Sequence, residues 1–174
     1  MQLTSAEVSK ILSKLQDEYE SIKNKENASS TFLACLGEDV ESVRPEYDYE
    51  ATQKALSDLE TKIRKIKHAL NIFNATTVIP KFGITIDEML VYMPQLTARL
   101  KKLKTMSMAM PKVRYNSRYG SRYEGGSSAI IDYQYANYDI AAVKADYDAA
   151  AEELSKAQLA LDTINHTAVL EIDI

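Results

Sequence analysis

Cysteine is nearly absent: Cys35 is the only one in 174 residues, so no internal disulfide can form and stability must come from packing. Histidine occurs twice, as His68 and His166, and glycine five times. From so few, no zinc-ligand spacing, Cys–His pair or Ser–His–Asp set can be built, and no Gly-x-Gly-x-x-Gly or P-loop occurs. No apolar run approaches the roughly 18 residues of a membrane span. Met1-Gln2-Leu3-Thr4 lacks the charged flank and apolar stretch of a secretory signal. These absences lead us to expect a soluble protein, cytoplasmic or packaged inside a virion, with no cofactor and no metal. They also weigh against an enzyme.

What is present is the balance of a globular chain: 45% of residues are apolar and 26% charged. The length suits a single domain over 1–174. Within it the sequence repeats itself, which suggests an internal duplication of 1–83 and 84–174. Leu3-Thr4-Ser5-Ala6-Glu7 resembles Ile84-Thr85-Ile86-Asp87-Glu88. In each, Thr-x-x-Glu is a capping box, with Thr4 and Glu7, or Thr85 and Glu88, satisfying the loose amides of a helix start. The halves also end alike, Leu70–Val78 aligning with Leu161–Val169. Asn74-Ala75-Thr76 and Asn165-His166-Thr167 match a glycosylation acceptor, but their recurrence favours a structural reading. Asn74, Thr76, Asn165 and Thr167 can satisfy polar groups at a helix end.

Helices follow from apolar spacing. Val8, Ile11, Leu15 and Ile22 form a stripe along the first, and Leu56, Leu59, Ile63, Ile66, Leu70 and Phe73 along the second, with Pro45 in its first turn. Met93, Leu96, Leu100, Leu103 and Met110 carry a third, bent by Pro94. Ile140, Val143, Tyr147, Ala150, Leu154, Ala157, Leu161 and Ile164 carry the fourth, whose alanines leave room for a neighbouring helix. Thr31–Leu36 is a short apolar run that reads as a strand, with Cys35 buried in it. Val113 and Tyr115 face Ile131, Tyr133 and Tyr135 as a candidate hairpin. The expected fold is mainly α with a minor β part: two duplicated helix–connection–helix units forming antiparallel long helices, with a small hairpin or sheet from the connections.

Charge is unevenly placed. Residues 1–88 balance to −4 and residues 124–174 to −8, whereas residues 89–123 hold eight cations and no acid. That block contains Arg114-Tyr115-Asn116-Ser117-Arg118-Tyr119-Gly120-Ser121-Arg122-Tyr123. Guanidinium forks bind phosphate or carboxylate, and tyrosine rings offer a stacking face. Arg114, Tyr115, Arg118, Tyr119, Arg122, Tyr123, Lys101 and Lys104 are therefore candidate anion-binding residues. The competing reading pairs this block with Asp146, Asp148, Glu152 and Glu153, within the protein or between copies. Glu38, Asp39 and Glu41 could hold a divalent cation, but the spacing is not that of a calcium loop.

The Asn74–Thr76 terminus, the run Gly83-x-Thr85-x-x-Glu88-Met89-Leu90, the Arg118-Tyr119 region and the closing Leu161–Thr167 together resemble the septicolysin-like family of small bacterial helical proteins. The resemblance implies a helical protein with a small β element and brings no catalytic residue with it. The sequence leads first to a non-enzymatic helical scaffold that self-associates, a homo-oligomer held by its long coiled-coil-like seams. The alternative is a binding module for a phosphorylated ligand or nucleic acid through segment 99–123. A membrane partner is expected least, its only support being the family name and the basic third helix.

Overall fold

A computed structural model describes residues 1–115 and 132–173. The chain is mainly helical with small two-stranded antiparallel sheets, the class read from the sequence. In order come β1 (Gln2–Thr4), α1 (Ser5–Ser29), α2 (Val40–Val43), α3 (Tyr49–Thr76), β2 (Val78–Ile79) and β3 (Ile84–Thr85). Then follow α4 (Ile86–Ser107), β4 (Lys112–Tyr115), β5 (Asp132–Tyr135), α5 (Ile140–Thr167) and β6 (Val169–Glu171). Two compact units result, Met1–Asp87 with Ala160–Ile174, and Glu88–Leu159.

In the first unit, α1 starts where Thr4 accepts from the Glu7 amide at 3.3 Å while Oε2 of Glu7 takes the Thr4 amide at 2.9 Å. Asp48 caps α3 by accepting from the Ala51 amide at 3.0 Å. The two helices pack together: Tyr19 meets Glu60 and Glu26 meets Gln53, so positions rise along one as they fall along the other. They are antiparallel. The seam of α3 is spent here, with Leu56, Leu59, Ile66 and Phe73 buried. The β2–β3 hairpin turns through Gly83 at φ +67°, a left-handed conformation that costs glycine nothing. Strand β6 returns to β1 with Leu3 opposite Leu170, and the terminal amine of Met1 donates to the Ile172 carbonyl at 3.0 Å.

In the second unit α4 and α5 also run antiparallel, since Tyr92 bonds Glu153 and Tyr138 bonds Met106. Leu103, Val143 and Ala150 form its buried cluster, with Leu100, Met106 and Tyr147 packed against them. Ala150 is the small seam residue that this cluster buries.

Four expectations are corrected. Thr31–Leu36 is irregular, not a strand, and Leu33 and Leu36 are 96% and 108% exposed. A strand needs a hydrogen-bonded neighbour, and here the backbone instead turns, with the Cys35 amide donating to the Glu38 carboxylate at 2.8 Å. Cys35 is exposed rather than buried. Pro45 precedes α3 instead of entering it: Arg44, restrained by the following proline, is extended, and the Asp48 cap sets the start. The third helix stops at Ser107, short of Met110, which is exposed just before Pro111.

Candidate functional site

The basic block reaches into a β-ribbon in the second unit. Strands β4 and β5 pair with Lys112 opposite Tyr135, Val113 opposite Gln134, Arg114 opposite Tyr133 and Tyr115 opposite Asp132. Directly opposed residues share a face, and alternate residues along a strand share a face. Lys112, Arg114, Tyr133 and Tyr135 therefore stand together on one side. The side-chain geometry agrees: the Lys112 ammonium lies 4.0 Å from the Tyr133 ring centroid and 5.4 Å from that of Tyr135. All four are exposed, Tyr133 by 45% and Tyr135 by 61%. Electrostatically, the negative face of each ring supports the cation, and the cation keeps its freedom to meet an anion.

The base of the ribbon is tied down. The Ala136 amide donates to the Pro111 carbonyl at 3.1 Å, one step beyond the strands. The Tyr138 hydroxyl donates to the Met106 carbonyl at 3.1 Å, at the end of α4. Lys101 and Lys104 are exposed on α4, outside the ribbon. Arg114 lies on the ribbon face, and Tyr115 holds the last register position of β4. Arg118, Tyr119, Arg122 and Tyr123 lie outside the described residues. Lys112, Tyr133 and Tyr135 belong to the site although the four-residue Arg-Tyr step drew attention elsewhere. The signal that finds them is the two-residue period: Lys-x-Arg facing Tyr-x-Tyr.

Two acids of α5 take partners among the described residues. Glu152 pairs with Lys156 at 2.6 Å, and this cation and its hydrogen bond hold the Glu152 carboxyl below its usual range. Glu153 accepts the Tyr92 hydroxyl, which raises that phenol above its ordinary value. Asp146 and Asp148 are exposed. In the first unit, Glu41 pairs with Arg44 at 2.8 Å, Asp39 caps α2 and Glu38 holds the Cys35 turn. Among the described residues no group of three metal-ligating side chains converges.

The remaining sequence candidates sit at helix ends. Thr4 and Glu7 form the box that opens α1. Thr85 ends β3 directly before α4, with Glu88 in the first turn of that helix. Thr76 and Thr167 donate their hydroxyls back to the Ile72 and Thr163 carbonyls, each at 2.8 Å. Asn74 and Asn165 occupy the same last turns, half-buried. His68 is exposed on α3, and Nδ1 of His166 lies 2.7 Å from the Asp162 carbonyl oxygen. No helix among the described residues is long and apolar enough to cross a membrane.

No protein-family model matches the chain. No curated protein matches it either. It is similar to a solved structure, that of a functionally unknown conserved protein from Corynebacterium diphtheriae, with a TM-score of 0.62 and 16% sequence identity. The match covers 98% of this chain and 100% of that one. At that identity the likeness is one of fold.

Proposed function

We propose that this chain is a binding protein whose β-ribbon takes a phosphate-bearing anionic ligand. One observation carries the reading: Lys112 and Arg114 share an exposed face with Tyr133 and Tyr135, while Asp132, opposite Tyr115, belongs to the other face of the ribbon. A guanidinium and an ammonium two residues apart can meet neighbouring phosphates, and the rings hold the Lys112 ammonium without neutralising it. Arg99, Lys101, Lys102 and Lys104 on α4 add positive charge in the same unit. With a net charge of −4, affinity must come from this local face and not from the whole surface. Retention of the protein on immobilised polyphosphate at low salt tests the proposal. Lys112→Ala with Arg114→Ala should abolish retention, and a wild-type protein that binds no polyanion at low salt refutes it.

Self-association is a second reading, favoured by the exposed Leu33 and Leu36. This connection offers a second copy an apolar contact in addition to the half-buried seam residues Ile11, Leu15 and Ile22 of α1. Light scattering of wild type against Leu33→Ser with Leu36→Ser tests it: a concentration-dependent dimer should be lost in the variant, and a wild-type monomer at every concentration refutes it. We also propose that the chain belongs to the septicolysin-like family, which assigns no ligand.

A further inference from the structure

We propose that the ligand of the ribbon is single-stranded nucleic acid; this deepens the phosphate-binding reading and rests on it. Cations alone would serve a duplex or a polyphosphate chain equally well. The distinguishing groups are Tyr133 and Tyr135, two large rings exposed on the cationic face. A polyphosphate has nothing to lay against them. A duplex keeps its bases stacked on one another and presents only their edges in the grooves. An unpaired strand offers both a phosphate and a free base face at each step, and stacking on an aromatic side chain is tolerant of sequence.

The geometry supplies a route. The Lys112 ammonium covers the Tyr133 ring at 4.0 Å and reaches Tyr135 at 5.4 Å. An arriving phosphate draws that ammonium off the ring, and the uncovered ring face then receives a base. Arg114, directly across from Tyr133, is placed to hold a neighbouring phosphate while the base stacks. Cation and ring thus act in sequence, and each exposes the binding surface of the other.

The test uses the full chain and a labelled oligo(dT) strand of about 20 nucleotides, compared with a duplex of matched phosphate number. Long-chain polyphosphate serves as competitor. Tight binding to oligo(dT) is expected, at least about tenfold over duplex, with Tyr133→Ala plus Tyr135→Ala lowering it about tenfold or more. Tyr133→Phe plus Tyr135→Phe should retain binding, because the ring and not the hydroxyl is used. Lys112→Ala plus Arg114→Ala should flatten the salt dependence by about 1.4 in log–log slope, two phosphate contacts' worth on a single strand. Circular dichroism checks that each variant keeps its helices. Duplex or polyphosphate binding as tightly as oligo(dT), or alanine variants at the tyrosines binding like wild type, would overturn the inference and leave the phosphate-binding reading standing. No binding to any of the three overturns both.

Discussion

The Tyr47 hydroxyl donates to Oε1 of Glu26 at 2.7 Å, and the Gln53 carboxamide donates to the same oxygen at 2.6 Å. One carboxylate on α1 thereby fastens both the chain entering α3 and the first turns of that helix. The hydrogen bond to Glu26 raises the Tyr47 phenol above its ordinary value. Its contribution to stability is complete below the unfolded phenol value of about 10 and is lost as pH rises through the higher folded value. Titrating tyrosinate absorbance should show a late-ionising component. Glu26→Gln should move that component back toward the ordinary range, and an unchanged titration would assign the late component to Tyr19 and Tyr92, whose phenols are raised by Glu60 and Glu153.

The start of α1 gives a prediction of opposite sign in pH. The Thr4 amide and hydroxyl hydrogen-bond the Glu7 carboxylate and hold it below its usual range. This contribution is present above the unfolded glutamate value of about 4.3 and is lost as pH falls through the lower folded value. Thr4→Ala removes the acceptor for the Glu7 amide and should cost about 1 kcal/mol in urea unfolding at neutral pH. Glu7→Gln should flatten the acid limb of the stability profile; a limb of unchanged steepness would place that pH dependence elsewhere.

Helices and hairpin were legible in the sequence because their signals are periodic. Leu56, Leu59, Ile66 and Phe73 repeat at helical spacing, and all four are buried. Val113 and Tyr133 lie in paired strands because alternation there matches the pleat. The connection at Thr31–Leu36 misleads for a physical reason. Apolar content signals burial only when some element is positioned to cover it, and a run of six residues carries no information about its neighbours. The ribbon site was half legible. Charge segregation marks the segment, but the grouping of Lys112 and Arg114 with Tyr133 and Tyr135 depends on register, which is fixed by a pairing across 16 residues that lie outside the described structure.

Cys35 provides a direct check on that connection. Its exposed side chain follows the exposed Leu33, and its amide is held by Glu38. A thiol so placed should react with an aromatic disulfide reagent in native buffer as completely as in denaturant, and at a comparable rate. Protection in native buffer at low protein concentration would show that the connection is packed. Protection that appears only as concentration rises would instead mark Leu33 and Leu36 as a contact between copies.

Ala157 lies on α5 with no exposed surface, one seam position beyond Leu154 and seven beyond the buried Ala150. A side chain limited to one methyl group at such a site lets the facing surface come close, and the space for anything larger has been given up. Ala157→Leu must then force off-rotamer side chains or shift the backbone. A loss of about 1–3 kcal/mol is expected in chemical unfolding, with the helical signal of the folded state retained. Ala141→Leu, at an exposed position of the same helix, should change stability by no more than about 0.5 kcal/mol, since it adds apolar volume at the surface. If both variants unfolded alike, the small residues of α5 would be serving helix propensity alone.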